Sequence, residues 1–336
     1  VHTEGQLARG AVEEARERVA ALLGARPREV VFTSGATEAI ATAVASFPGH
    51  SVCPAVEHSA VRDGSARHPV TLVGVDGAGR IDPAEVAAAV RPGETALVHV
   101  QWANHEVGTV QPVAEVVAAC RERGVRVHVD AAAAAGHVPV DFAAVGADLL
   151  SVSAHKLGGP PGMGALLVRR GLRLRPLLVG GDQERSRRAG MENVAGIVGF
   201  GAAAEVLATD ARLAAEAGAA RALTGGALDA VSAMEGVETF GDLANRVPHL
   251  VCLGVEGVEA QAVLLGLDQA GVAVHSGSAC SSESLEPSPV LEAMGVDARH
   301  SLRLSVGWST TAADVKAFCA ALPAVVGRLR ELVTGA

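Results

Sequence analysis

Apolar and polar residues follow two rhythms along this chain, and each rhythm predicts one kind of secondary structure. Residues 5–24 carry apolar side chains at helical spacing among Glu and Arg, which predicts an amphipathic helix. Strands and helices that alternate over residues 29–170 indicate an α/β fold with a mainly parallel sheet. The strands are predicted at short apolar runs over residues 29–32, 51–54, 70–75, 95–101 and 125–129.

The last third of the chain has a different pattern. Residues 194–223 form a long alanine-rich helical stretch, which we expect to link two domains. Beyond it the sequence predicts strand, helix and strand, then a strand around Arg303 and a final helix over residues 311–333. Because 336 residues exceed the usual size of one domain, we expect a large domain at residues 1–210 and a smaller one at residues 211–336.

Composition and charge exclude several classes of function. The net charge is −9 and no basic run occurs, so we expect no nucleic-acid partner. The five cysteines are far apart and lack zinc spacing, which indicates a reduced, cytoplasmic protein without a metal site. No apolar run reaches the roughly 20 residues of a membrane helix, and no signal peptide is present, so no membrane partner is expected. The chain begins at Val1 within a polar helical pattern, and we expect an N-terminal segment to be missing.

Lysine use is unusual in this sequence. Of the 28 basic residues only Lys156 and Lys316 are lysines, and Lys156 stands beside His155 where a predicted strand meets a loop. Arginine stays protonated in proteins and cannot act as a nucleophilic amine, whereas lysine can. Retention of lysine here favours a Schiff-base lysine that holds an aldehyde cofactor over the alternative of an ordinary surface lysine.

A turn of small and hydroxyl residues, Thr33-Ser-Gly-Ala-Thr-Glu38, joins a predicted strand to an alanine-rich helix. The N–H groups at the start of a helix, together with the Thr37 hydroxyl, can bind phosphate. The turn lacks the Gly-Lys-Ser/Thr of a Walker loop. A phosphate site and an ordinary N-cap at Thr33 or Ser34 are equally compatible with these residues.

Several polar residues follow predicted strands and so mark one edge of the expected sheet. In open α/β sheets, ligands bind beyond the carboxyl ends of the strands, so we expect such residues to line one site. The residues at these positions are Asp130, Ser153, His155, Lys156 and the loop that contains His105.

Three further residues are candidates on their local sequence. Cys280 lies in a loop of small residues. Arg303 stands in the middle of a predicted strand, where burial of its charge requires an anionic partner such as a substrate carboxylate. His58 begins a predicted helix, a position at which histidine is more often structural than catalytic.

As a set, these motifs resemble the cysteine desulfurases, which form part of class V of the pyridoxal-phosphate-dependent aminotransferases and have fold type I. The lysine motif is Ser153-Ala-His-Lys156 with the glycine-proline loop after it. The other motifs occur in the family's order over essentially the whole chain: Phe32-Thr-Ser-Gly-Ala-Thr-Glu38, Glu57-His58, Asn104-His-Glu-Val-Gly-Thr109, His128-Val-Asp130, Ser276-Gly-Ser-Ala-Cys280 and Leu302-Arg303-Leu-Ser-Val-Gly307. The resemblance implies a large cofactor-binding domain with a mostly parallel seven-stranded sheet between helices. It also implies a smaller C-terminal α+β domain that carries the catalytic cysteine loop.

The resemblance gives the candidate residues roles around pyridoxal 5'-phosphate. Lys156 would hold the aldehyde as a Schiff base and later move protons, and Asp130 would pair with the pyridine nitrogen. His58 would lie over the ring and take part in proton transfer. The phosphate would be bound by the Ala36 backbone, Thr37, Ser153 and His155.

The resemblance also implies how the substrate, L-cysteine, is handled. Arg303 would bind its carboxylate, and His105 is the second substrate-binding residue. Cys280 would attack the substrate sulfur, which leaves a persulfide on the enzyme and releases L-alanine. Because a free thiol has a pKa of about 8.5, this attack needs local activation. The family further implies a homodimer that passes sulfur to an acceptor protein.

Three positions depart from the family's pattern. The family usually has Asn at His105, Gln at Ala133 and, at Met191, a Thr that reaches the phosphate in the other subunit. Each change removes or alters one cofactor hydrogen bond, worth about 0.5–1.5 kcal/mol. Two alternatives therefore stay open beside a cysteine desulfurase. One is a related carbon–sulfur or carbon–selenium lyase of a biosynthetic pathway, and the other is a cofactor-poor homologue that serves as a sulfur-relay or assembly partner.

Overall fold

The structure, a computed structural model, describes residues 2–276 and 287–334 of the chain. The chain divides into two compact units. The first unit comprises residues up to 73, 81–103 and 111–214, and the second comprises residues 74–80, 104–110 and those from 215 onward. The second unit therefore includes two short segments from the N-terminal half of the sequence.

Strands and helices are numbered here in chain order. The strands are β1 (Val30–Thr33), β2 (His50–Pro54), β3 (Val70–Val73), β4 (Thr95–Gln101), β5 (Arg126–Asp130), β6 (Leu149–Ser153), β7 (Gly164–Val168), β8 (Val237–Phe240), β9 (Leu250–Val255), β10 (His275–Ser276) and β11 (Ser301–Ser305). The helices are α1 (Thr3–Leu22), α2 (Ala36–Ser46), α3 (Ser59–Ser65), α4 (Pro83–Ala88), α5 (Val113–Glu122), α6 (Phe142–Val145), α7 (Gln183–Ser186), α8 (Val194–Leu207), α9 (Asp210–Val231), α10 (Ala260–Gln269), α11 (Pro289–Ala293) and α12 (Ala312–Thr334).

The first unit is built on a seven-stranded sheet with the order β1-β7-β6-β5-β4-β2-β3. The five strands from β6 to β3 are parallel, and β7 is antiparallel to both of its neighbours. β1, which lies beyond β7, consequently points the same way as the parallel strands. β1, β2, β6 and β7 are buried along their whole length, as expected of short apolar strands in a sheet covered by helices.

Helix α1 shows how the sequence determines packing in this unit. Its residues Val12, Ala15 and Val19 recur at helical spacing and are buried. α1 packs against α8, where Gly201 permits a close approach of the two backbones. A Cβ atom at Gly201 would lie 2.6 Å from the Ala15 Cα, so a larger residue at that position would push the helices apart.

The second unit has a four-stranded antiparallel sheet with the order β10-β11-β9-β8. Its core joins Leu253 of β9 and Leu302 of β11 to Leu267 of α10 and Phe318 of α12. Each of these side chains is at most 1 % exposed, and burial of each contributes about 2 kcal/mol.

The predicted α/β fold with a mostly parallel seven-stranded sheet is confirmed. The prediction of one helical stretch over residues 194–223 is wrong, because α8 ends at Leu207 and α9 begins at Asp210. The Thr209 hydroxyl between them accepts a hydrogen bond from the Arg212 amide at 3.3 Å and so caps the new helix. β8 was not predicted, since its residues are only partly buried and lack an apolar run.

No single helix within the described ranges is long and apolar enough to cross a membrane. A bent pair, Val194–Leu207 with Ala211–Val231, reaches that length and composition only when the two helices are taken together.

Candidate active site

Six strands of the first unit end at one edge of the sheet, and four of them end in a polar residue. β4, β5 and β6 are parallel, and their last residues are Gln101, Asp130 and Ser153. β1 points the same way and ends at Thr33. Thr33 and Ser153 lie opposite Gly164 of β7 from its two sides. The topology therefore brings polar residues from distant parts of the sequence to one edge, as the sequence predicts for Asp130 and Ser153.

Asp130 is the acidic residue at this edge, and it is 7 % exposed. Its Oδ1 accepts hydrogen bonds from the Ala132 amide at 3.0 Å and from the Ser151 hydroxyl at 3.3 Å. Within residues 2–276 and 287–334, no hydrogen bond ends on its Oδ2. Oδ2 is therefore an acceptor suited to a cationic N–H group of a ligand.

The lysine motif forms a tight turn directly after β6. Residues Ala154–Leu157 make one turn of 3-10 helix, which ends at Gly158 with a φ of 87°. This left-handed conformation favours glycine, which explains the glycine directly after the turn. The Lys156 carbonyl lies 2.8 Å from the His137 Nε2, and this contact fixes the backbone of the turn.

This turn places an imidazole and an amine at the surface, next to the Ser153 hydroxyl at the end of β6. Ser153 Oγ and His155 Nδ1 lie 2.9 Å apart, so the hydroxyl and the imidazole act as a pair. Desolvation lowers the pKa of His155, and the charge of the neighbouring Lys156 lowers it further. Both His155 and Lys156 are exposed residues in this chain.

Helix α2 begins at the same edge. Its N-cap is Gly35, which offers no side chain to the first N–H groups, so the predicted alternative of a Ser or Thr side-chain cap is not observed. Gly35 lies close to β7, since a Cβ on Gly164 would come within 2.7 Å of the Gly35 Cα. The start of the helix, with Ala36 and Thr37, is thereby placed beside the end of β6. Uncapped N–H groups and the positive end of the helix dipole favour an anion at this position.

The Glu57-His58 motif lies between β2 and α3. His58 is the N-cap of α3, and its Nδ1 accepts a hydrogen bond from the Ala60 amide at 3.0 Å. Its neutral imidazole therefore carries the hydrogen on Nε2. Glu57 is 1 % exposed, and its Oε1 accepts a hydrogen bond from the Gln101 amide at 2.5 Å. This contact ties the motif to the end of β4.

A row of buried side chains that the sequence analysis did not identify as functional lies next to Asp130. His99 of β4 and His128 of β5 have their Nδ1 atoms 3.0 Å apart, and His128 Nε2 lies 3.2 Å from the Ser151 Oγ. Burial lowers the pKa of His99 to about 4. Burial and the adjacent charge of His99 together lower the pKa of His128 well below its usual value. Residues i and i+2 of a strand share one face, so the sequence His128-Val-Asp130 contained this signal.

The second unit brings His105 and Arg303 together. Arg303 lies in the middle of β11, as predicted, and its Nη1 donates a hydrogen bond to the His105 carbonyl at 3.1 Å. His105 Nε2 lies 3.5 Å from the Glu106 Oε1. The Glu106 carboxylate also accepts a hydrogen bond from the Ser288 hydroxyl. The contact between Ser288 and Glu106 thus fixes the segment whose His105 carbonyl accepts from the guanidinium.

Cys280 lies outside the described residues. The four described cysteines, Cys53, Cys120, Cys252 and Cys319, are free thiols. Burial raises the pKa of all four, to about 11 for Cys120 and to about 12 for Cys252. Because the thiolate is the nucleophile, none of these four is suited to attack another sulfur atom near neutral pH.

Two of the positions that depart from the family's pattern lie in the first unit. Met191 is 89 % exposed and lines a cavity of about 240 Å³ together with Thr33, Ser34 and Arg188. Its thioether brings only a weak acceptor to this cavity. Ala133 is partly buried and contributes a methyl group where the family usually has an amide.

The chain is similar to proteins of one family. Residues 1–318 match the family model described as aminotransferase class-V. A cysteine desulfurase from Trichormus azollae is 42% identical over 99% of this chain and 86% of that protein. A NifS-like protein from Rickettsia africae ESF-5 has a TM-score of 0.90 and 27% identity over 97% of this chain and 91% of that one. DndA from Streptomyces lividans has a TM-score of 0.78 and 34% identity over 90% of both chains.

Proposed function

The chain belongs to the aminotransferase class-V family and, within it, to the cysteine desulfurases, and from this premise we propose that it converts L-cysteine to L-alanine and an enzyme-bound persulfide. The resemblance identified from the motifs is confirmed, as is fold type I. One observation of the structure supports the proposed activity most directly. Asp130, the turn that contains Lys156 and the start of α2 converge at one edge of the sheet.

The residues at this edge fit pyridoxal phosphate. The start of α2 and the Ser153–His155 pair suit an anionic phosphate. The Oδ2 of Asp130 suits a protonated pyridine nitrogen, because its Oδ1 already holds two donors. The exposed position of Lys156 lets an aldehyde reach its amine. When bound, the cofactor supplies an electron sink for the α-carbon of the substrate.

Two residues of the first unit move protons in this proposal. Lys156 would hold the cofactor covalently through its amine, which arginine could not do because its guanidinium stays protonated. The same amine would carry a proton to and from the substrate carbon. His58 serves as the second proton carrier through Nε2, since its Nδ1 is committed to the Ala60 amide.

Arg303 and Cys280, near the C-terminal end of the sequence, bind and cleave the substrate. Arg303 binds the carboxylate of L-cysteine as a two-pronged cation, and the His105 carbonyl orients its guanidinium. The Cys280 thiolate attacks the substrate sulfur. A sulfur–sulfur bond forms, the carbon–sulfur bond breaks, and the carbon takes up a proton. The products are L-alanine and a persulfide on Cys280, with no external oxidant or reductant.

The proposal extends to partners and to compartment. The protein forms a homodimer in this proposal, and the cavity lined by Met191 lies at the interface between the two copies, as the family pattern suggests. The persulfide then passes to an acceptor protein. The reaction needs a reduced thiol at Cys280, so a reducing compartment such as the cytoplasm is part of the proposal.

A cysteine assay tests this function. Purified protein is loaded with pyridoxal phosphate and incubated with L-cysteine, alanine and protein-bound persulfide are measured, and sulfide is measured after a thiol reductant is added to release it from the persulfide. We expect all three from the wild type and from Cys319→Ser, the matched thiol control. Cys280→Ser should form neither persulfide nor sulfide. Equal sulfide and alanine release by Cys280→Ser and wild type would rule out the persulfide mechanism, and a better substrate in a panel of other sulfur and selenium amino acids would favour the lyase alternative.

A further inference from the structure

A row of hydrogen bonds leads from Asp130 across the middle of the first unit's sheet. It begins at Asp130 Oδ1, which lies 3.3 Å from the Ser151 Oγ on the neighbouring strand β6. From Ser151 it continues to His128 Nε2 at 3.2 Å, and from His128 Nδ1 to His99 Nδ1 at 3.0 Å. Ser151, His128 and His99 are all 0 % exposed. The row therefore crosses three adjacent strands without contact with water.

The chemistry of the groups fixes the direction of every hydrogen bond in this row. An ionised Asp130 can only accept, so the Ser151 hydroxyl donates its single hydrogen to Oδ1. The Ser151 oxygen must then accept from His128 Nε2. A neutral imidazole carries one hydrogen, so His128 Nδ1 is an acceptor and His99 Nδ1 is its donor.

The far end of the row agrees with this assignment. His99 Nε2, which then carries no hydrogen, is buried and has no hydrogen-bond partner among the described residues. An unmatched acceptor at this atom costs less than a buried, unmatched N–H of an imidazolium would. Burial also lowers the pKa of both imidazoles, which keeps them neutral.

We propose that Ser151, His128 and His99 are positioning residues that hold the Asp130 carboxylate so that Oδ2 faces the pyridine nitrogen of bound cofactor. The inference rests on the proposed role of Asp130 in cofactor binding. Every donor in the row points toward Asp130, so the row orients the carboxylate and stabilises its negative charge. A carboxylate held in this way favours the protonated pyridine nitrogen, which the electron-sink chemistry requires.

Ser151→Ala breaks the row at its first link and leaves Oδ1 with the Ala132 amide alone. We expect kcat for cysteine to fall about tenfold, the loss that corresponds to one hydrogen bond to a charged group. KM should change by less than about twofold, because Ser151 is not a substrate-binding residue. A direct measurement uses pyridoxal phosphate labelled with heavy nitrogen in its ring. In the variant the NMR signal of that nitrogen should move toward the unprotonated position.

Two further variants separate this role from loss of a buried hydroxyl in general. Ser151→Thr keeps the hydroxyl and should retain the nitrogen signal of the wild type. Ser65→Ala is the matched control, since Ser65 is also 0 % exposed and its hydroxyl has no partner among the described residues. This control should change neither kcat nor the nitrogen signal.

The possible results distinguish this inference from the proposed function. If the wild type binds no cofactor or does not turn over cysteine, the proposed function itself is wrong. If the wild type is active and Ser151→Ala leaves the nitrogen signal unchanged, with or without a fall in kcat, the positioning role is overturned. Should circular dichroism show that Ser151→Ala is unfolded, His128→Leu replaces it. If the nitrogen signal of His128→Leu moves toward the unprotonated position, by less than is expected for Ser151→Ala, the positioning role is supported. If the signal does not move, the role is overturned.

Discussion

The two units present their polar side chains in different ways. In the first unit, Thr33, Asp130 and Ser153 end strands that all point one way, so the sheet gathers them at one edge. In the second unit all strands are antiparallel, and Arg303 comes from the middle of one, opposite Cys252 and His275. The last residues of neighbouring antiparallel strands lie at opposite edges of the sheet, so they are not gathered at one edge. The first arrangement suits a ligand with several groups, such as the cofactor, and the second suits one carboxylate.

The largest expected effect comes from the edge of the first unit. Lys156→Ala should reduce cysteine turnover at least about 10³-fold, because the covalent attachment and a proton carrier are lost together. Lys156→Arg should be equally inactive. The matched control is Lys316→Ala, which changes the other lysine, an exposed residue of α12, and should keep full turnover. Activity of Lys156→Arg within tenfold of the wild type would contradict the assignment of a nucleophilic amine.

A buried ion pair beside strand β1 should make the first unit sensitive to loss of one charge. Arg16 and Glu184 form two hydrogen bonds of 2.7 Å, both side chains being 3 % exposed. Glu184→Gln leaves the Arg16 charge without its buried partner and should lower the free energy of unfolding by about 3 kcal/mol.

Denaturant unfolding measures this loss. Glu13→Gln is the control, because Glu13 also contacts Arg16 but is 40% exposed, and it should cost less than about 1 kcal/mol. An equal decrease in the free energy of unfolding of Glu184→Gln and Glu13→Gln would show that burial of the ion pair does not determine its contribution to stability.

The second unit should respond in substrate binding and not in cofactor binding. Arg303→Gln removes one charged group and should raise KM for cysteine about thirtyfold, roughly 2 kcal/mol, with a smaller change in kcat. The visible absorbance of the bound cofactor should be that of the wild type. Arg299→Gln serves as control, because Arg299 is exposed and bonded to Asp297. Loss of cofactor from Arg303→Gln would contradict the division of roles between the two regions.

The most gradual expected effect is a dependence of stability on pH. His99 and His128 have pKa values below that of an unfolded histidine, about 6.5, so the unfolded chain takes up protons first as the pH falls. The free energy of unfolding should therefore decrease as the pH falls below about 6.5. Each of the two histidines contributes a decrease of up to about 1.4 kcal/mol for each pH unit. For His99 this loss continues down to its folded pKa of about 4.

Unfolding curves at a series of pH values measure this slope. His99→Leu should have a shallower slope than the wild type over that range, whereas His2→Gln, at an exposed site, should have the wild-type slope. Parallel slopes for wild type and His99→Leu would show that this histidine does not stay neutral in the folded chain.

Much of the site could be predicted because its residues follow apolar runs. The predicted strand Thr95–Gln101 has its observed bounds, and those predicted over residues 29–32, 51–54, 70–75 and 125–129 agree to within two residues, so the residues that follow them can be assigned to one edge from the sequence. The scarcity of lysine marked Lys156 without any knowledge of the fold. The glycine after the lysine turn also has a local cause, since its φ of 87° excludes most other residues. These features depend on a few consecutive residues, which is why the sequence contains them.

The sequence by itself determined the alternation of strands and helices, the turn of small and hydroxyl residues before α2 and the amine at Lys156. Only the tertiary structure decided that Ser151 and His99 lie on either side of the strand that ends at Asp130, and that α9 is separated from α8. The physical reason is the range of the interactions. Periodicity and turn chemistry act between neighbouring residues, whereas the partner of a buried polar group is chosen by which strands become adjacent when the core is closed.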